Sequence, residues 1–130
     1  MKLKIELELS YETFEEIIVT ALEGGSNYWM DYEVKKGIPF GNANKVPNKA
    51  PSQRIAYGLW HNKDSQVVIW DAEEEEELLG VLTYDSVREG MQLACKDYMK
   101  QINMMISEDY DAWTADTLFQ LLVMGEVTFG

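Results

Sequence analysis

The chain has 130 residues, 46% apolar and 12% aromatic, with a net charge of −12 at pH 7. That length suits one domain with a packed core, and the composition excludes wholesale disorder. No apolar run approaches the roughly 18 residues of a transmembrane helix, one cysteine leaves no internal disulfide, and the acidic balance disfavours direct binding to nucleic-acid phosphates.

The N-terminal MKLKIELELS alternates Lys2, Lys4, Glu6 and Glu8 with Leu3, Ile5, Leu7 and Leu9. Period two marks a half-buried strand with one charged face. The segment also lacks the unbroken apolar run of a signal peptide, so a cytoplasmic location is expected. Ser10 stands as an N-cap, with Glu12, Glu15 and Glu16 in the first turns, where a helix favours negative charge. Phe14, Ile17, Ile18, Ala21 and Leu22 then recur at helical spacing. Gly24 falls where a left-handed C-cap is needed, and Gly25 lets the chain turn again. Tyr28, Met30, Tyr32 and Val34 alternate with polar residues, which predicts a second strand. Trp29 breaks that alternation: it lies among the polar positions, either covered by another element or displayed as a binding aromatic.

Residues 36–53 hold all three prolines and read as a long loop, functional or mobile. RIAYGLWH and SQVVIWD, around Asn62-Lys63-Asp64, predict a hairpin. The run Glu73, Glu74, Glu75, Glu76 and Glu77 must face solvent or a cation, and marks a solvated turn or a protected sheet edge. LLGVLT predicts a further strand. From Thr83 or Asp85 a long helix is expected to about Ile106, with Val87, Met91, Ala94, Cys95, Tyr98, Ile102 and Met105 inward. Gly90 inside it costs about 1 kcal/mol relative to alanine. Asp111 or Thr114 caps a last helix carrying Ala115, Leu118, Phe119 and Leu122, and Gly125 ends it before a short extended tail. This order predicts an α+β fold: an antiparallel sheet of about four to five strands packed against three helices in a single domain.

The charge is unevenly spread. Residues 1–65 carry eight Lys/Arg against nine Asp/Glu, and residues 66–130 carry three against fourteen. The acidic half suits a solvated surface or a face that meets a basic partner, while Lys45, Lys49 and Arg54 would suit an anion. No catalytic constellation stands out. A zinc site needs about four Cys or His ligands and the chain offers Cys95 and His61, which equally leaves little for a nucleophilic triad. Phosphate-binding glycine loops are absent, and Gly24-Gly25 end a helix instead of opening one. Asp109, Asp111 and Asp116 match a calcium loop only superficially, because Trp113, Thr114 and Gln120 occupy its other key positions; a helix cap explains Asp111 better. Gln120 is either a polar specificity group or an exposed side chain, and reads better as the latter. No catalytic residue, cofactor or metal ligand is assigned.

Two segments, TALEGGSNYW and DAWTADTLFQLLVMGEVTFG, together resemble the hallmarks of an uncharacterised family of small acidic phage and prophage proteins. Those proteins carry ALEGGINYW-like and D-A-x-T-A-D-x-x-x-Q…FGE-like segments. The chain departs from them at Ser26, where an aliphatic residue is common, and at Met124, where phenylalanine is common. The resemblance implies action inside a bacterial host and supplies no activity. Together with the search for catalytic groups, it leads to an expected role as a non-enzymatic accessory protein that binds a host or phage protein in the host cytoplasm. Gly24, Gly25, Asn27, Trp29, Trp60, Trp70 and Glu73 to Glu77 are its candidate contacts, since tryptophan carries much of the energy where interfaces exist. The alternatives are an acidic DNA mimic that occupies a nucleic-acid-binding protein, and a binder of small anionic ligands under the long loop. No membrane partner is expected, and self-association is compatible with the strand edges and tryptophans.

Overall fold

The structure, a computed structural model, describes residues 1–39, 49–74 and 77–130. Its elements run α1 (Tyr11–Thr20), a π-helical turn (Ala21–Gly25), β1 (Met30–Lys36), α2 (Pro51–His61), β2 (Gln66–Asp71), β3 (Leu78–Thr83), α3 (Tyr84–Asp97), α4 (Met99–Ile106) and α5 (Ala112–Met124). The α+β class holds. Among the described residues the sheet has three strands in place of the four to five expected, and there are five α-helices in place of three. None of them is long and apolar enough to cross a membrane.

The last helix is the axis of the fold. Every residue of α5 from Thr114 to Val123 is buried, and α1, the π-helical turn, α3, α4 and β3 all pack on it. Asp111 starts it by accepting from Thr114 N at 3.0 Å, and Gly125 ends it with a left-handed φ of 74°. Gly90 of α3 lies so close that an added Cβ would sit 2.7 Å from both Leu121 O and Leu122 Cα. The residue that propensity scores as a defect is what lets the two backbones meet. Phe14, Ile18, Ile55, Leu59, Ile69, Leu82, Ile102, Leu118 and Phe119 fill the surrounding core without measurable exposure, each such side chain contributing about 1.5–3 kcal/mol of burial.

The sheet has the order β1-β2-β3 with both pairs antiparallel. Val34 stands opposite Val67, and Val67 opposite Leu82, on the side that faces the helices. Of the inward face expected for the second strand, Met30 is buried, Val34 half-buried and Tyr32 exposed, while Tyr28, also exposed, lies in the turn before β1. An edge strand has a neighbour on one side alone, and this one is poorly covered. β2 and β3 occupy the stretches read as strands. The helix after Thr83 starts as expected, with Thr83 Oγ1 accepting from Ser86 N at 3.0 Å and Ser86 Oγ accepting from Thr83 N at 2.8 Å.

Other expectations are corrected. RIAYGLWH forms most of α2 and no hairpin strand: Pro51 sits in its first turn, and Ser52, Ile55, Ala56 and Leu59 bury one helical face. Asn62-Lys63-Asp64 therefore turns a helix, not a strand, into β2. The long helix is interrupted at Tyr98, whose φ of −133° and ψ of 36° separate α3 from α4. Gly24 provides no left-handed cap; its φ is 164°, and α1 instead winds into the π-helical turn, with Ser26 N donating to Ala21 O at 2.9 Å. Residues 3–9 form no strand, because among the described residues none pairs with their backbone. The loop placed at 36–53 yields Lys36 to β1 and 51–53 to α2, while residues 40–48 lie outside the described residues.

Candidate functional site

The two motif segments meet. Gly25 eases it: an added Cβ would lie 3.0 Å from Ala112 O and 3.1 Å from Thr20 O, so α1, the turn and the start of α5 would have to give by a few tenths of an ångström around a larger residue. That approach sets Ser26, Tyr28 and Trp29 against Asp116, which is 2% exposed. Asp116 Oδ1 accepts from Ser26 Oγ and from Trp29 Nε1, both at 2.7 Å. Its Oδ2 accepts from Tyr28 Oη at 2.6 Å and from Gln120 Nε2 at 3.1 Å. A carboxylate offers about four lone-pair positions, so this one is saturated.

Gln120 extends the network to the tail. Its Nε2 also donates to Phe129 O at 3.1 Å, and its Oε1 accepts from Thr128 N at 2.8 Å and Phe129 N at 2.9 Å. One side-chain amide thus takes the place of a neighbouring strand for residues 128–129. The Phe129 ring stacks on Trp29 with centroids 5.0 Å apart and planes 12° apart, and Trp29 also packs on Phe119 at 6.0 Å.

The donors to Asp116 are all neutral. Among the described residues the one ion pair is Lys35–Glu33, at 2.6 Å on an exposed edge. Four hydrogen bonds therefore offset the cost of burying the carboxylate. Burial of the Tyr28 phenol, reinforced by its bond to Asp116, pushes that group up to about 12. A saturated acceptor and a phenol that keeps its proton at neutral pH make a clasp: they fasten the turn, α5 and the tail together. Among the described residues no three His, Cys, Asp or Glu side chains group as a metal site would require.

Of the sequence candidates, Trp29 belongs to the clasp, whereas Trp60, Trp70 and the glutamates lie apart from it. Trp29, 3% exposed, is covered and cannot serve as a displayed aromatic. Gly24 and Asn27 are exposed beside it. Trp60 is on α2, half-buried, with its ring 5.2 Å from Phe14 and 5.6 Å from Tyr11. Trp70 is on β2, half-buried, opposite Asp31 on one side and Leu78 on the other. Glu73, Glu74 and Glu77 are exposed in the β2–β3 turn, where Asp71 Oδ1 accepts from Glu73 N at 2.8 Å and Glu74 N at 2.9 Å. The Glu74 carboxyl beside Glu77 holds the latter above its ordinary range. Glu75, Glu76 and Lys45 lie outside the described residues; Lys49 is exposed, Arg54 half-buried. A hollow near α2 is lined by Gly37, Ile38, Pro39, Tyr57, Gly58, His61 and Asn62, without Lys49 or Arg54.

Asp116 as a bonding centre and Gln120 as a buried amide were missed in the sequence, where Gln120 reads as exposed. The available signal was a pair of polar residues one helical turn apart inside an otherwise apolar helix. Comparisons with protein-family models, curated proteins and solved structures find no match for this chain.

Proposed function

We propose that the chain is a non-enzymatic accessory protein, of the phage or prophage kind its two motifs resemble, that binds a host or phage protein through the β2–β3 turn and the adjoining outer side of the sheet. The observation that carries this reading is where the polar groups of the motifs point. Ser26, Tyr28 and Trp29 spend their side-chain donors on Asp116, and Gln120 divides its own between Asp116 and Phe129 O, which leaves recognition to the surface. There Trp70 and the 53% exposed Leu78 are partners across a register shift in the β2–β3 ladder, with Asp31 opposite Trp70 on its other side. Glu73, Glu74 and Glu77 project from the turn at their end. An aromatic centre with a charged rim has the make-up of an interface, and its sign suits a partner with Lys or Arg around an apolar pocket.

Capture from a bacterial host lysate tests this with the native chain, Trp70→Ala and a Glu73→Lys/Glu74→Lys double variant. The expected result is a defined protein retained by the native chain, weakened by salt, and lost from both variants while their circular dichroism is unchanged. Equal retention by all three, or no retention by the native chain at any salt concentration, overturns the proposal. Displacement of the captured protein by DNA would transfer the reading to a DNA mimic.

A further inference from the structure

The least satisfied segment of the molecule is its N-terminal arm. Residues 1–8 are exposed, with Leu3 at 77%, Ile5 at 87% and Leu7 at 42%. Among the described residues, nothing hydrogen-bonds to the backbone of residues 2–9. The arm runs along α3 and leaves a hollow between itself and Gln92, Cys95 and Met99. A strand-like segment of this kind offers a row of free N–H and C=O groups together with an apolar face, which is a template for pairing.

We propose that residues 2–8 pair with the same residues of a second copy as an antiparallel β-ribbon, joining two chains through their arms. The occupant is fixed by charge. In the register centred on Ile5, Lys2 faces Glu8, Leu3 faces Leu7, Lys4 faces Glu6, and Ile5 faces its own copy. Every charged side chain meets an opposite charge on one face, and every apolar one meets an apolar side chain on the other. Neither the in-register parallel ribbon nor the neighbouring antiparallel registers do this. A parallel ribbon in register puts Lys on Lys and Glu on Glu. Sliding the antiparallel register by two residues puts Lys4 on Lys4 or Glu6 on Glu6, and sliding it by one puts charge against leucine. Paired arms satisfy each other's backbones and turn a doubled row of Leu3, Ile5 and Leu7 toward the hollow along α3. This surface is separate from Trp70 and the glutamate turn, so either proposal can fail alone.

The test is the mass in solution of the full chain and of charge variants, by sedimentation equilibrium at moderate salt. The native chain is expected to be dimeric. Lys2→Glu/Lys4→Glu makes the arm uniformly acidic and Glu6→Lys/Glu8→Lys makes it uniformly basic, so each double variant alone is expected to be monomeric. An equimolar mixture of the two is expected to dimerise again, as is the quadruple variant that exchanges all four charges. The arm touches little of the core, so circular dichroism should be the same throughout. A native chain that stays monomeric up to its solubility limit, a dimer that survives in both double variants, or a mixture that stays monomeric overturns the inference.

Discussion

Asp116 bonds to Ser26, ninety positions away in the chain, and among the described residues it does so without the help of a cation. Replacing it with alanine strands two buried donors, Ser26 Oγ and Trp29 Nε1, whereas Tyr28 can turn to water and Gln120 keeps its bonds to the tail. At about 1–3 kcal/mol for each stranded donor, plus the lost packing, Asp116→Ala should cost about 3–5 kcal/mol in urea unfolding. Asp116→Asn, which retains one acceptor oxygen, should cost less. Tyr28 adds a pH signature. Its folded value of about 12 lies above the ordinary 10.0, so its contribution is complete below pH 10 and is lost as pH rises from there through 12. Tyr28→Phe should flatten part of that alkaline decline. Tyr11, raised by burial and then by its hydrogen bond to Glu15, supplies a further part. Little of this could be read from the sequence. Ser10, Thr83 and Asp111 were recognisable as caps because a cap bonds within three residues of itself. The partners of Asp116 come from a segment whose proximity depends on the fold.

A strand or helix is legible when its own periodicity or its boundaries are unambiguous: α1 shows the period, α5, buried all round, is marked by Asp111 and Gly125 at its ends, and β2 and β3 are short apolar runs between polar turns. RIAYGLWH is ambiguous: Ile55, Tyr57 and Leu59 alternate, yet Ser52, Ile55 and Leu59 also mark one side of a helix, and the proline in the first turn decides between them. The arm shows the converse. Its alternation was clear, but periodicity describes what a strand would bury and not whether a partner exists. Glycine inside a helix is a third case, and it can be tested. By propensity alone, Gly90→Ala should stabilise α3 by about 1 kcal/mol. The α5 backbone 2.7 Å from the new Cβ reverses the sign, because neither helix can retreat without opening the core. A net loss of about 1–3 kcal/mol is expected from urea or thermal unfolding, and a gain would show that α3 and α5 are packed less closely than this.

Across the whole molecule, a charge of −12 is set against one exposed ion pair among the described residues, so folding concentrates like charge. Specific carboxyls report it. Glu16 is raised by burial and then by Glu108, and Glu77 is raised by Glu74. A raised carboxyl contributes stability that is complete below its ordinary 4.5 and disappears as pH climbs through its folded value. Two others act oppositely. Glu33, lowered by Lys35, and Asp111, lowered by the Thr114 N–H, contribute stability that is present above 4.5 and 3.8 respectively and fades as pH falls through their folded values. The melting temperature should therefore rise as pH is lowered from neutrality, pass a maximum on the acid side, and fall once the lowered carboxyls protonate. Salt discriminates the cause. Shortening the Debye length from about 30 Å at 0.01 M to about 8 Å at 0.15 M screens general repulsion, so added salt should raise the melting temperature at neutral pH and do much less at the acid maximum. The arm responds in the reverse sense, since its Lys–Glu pairs are weakened by the same screening, and low protein concentration keeps the two effects apart. A melting temperature that ignores salt at neutral pH, or that falls steadily from neutrality toward acid, would mean that the carboxylates are spaced widely enough not to oppose the fold.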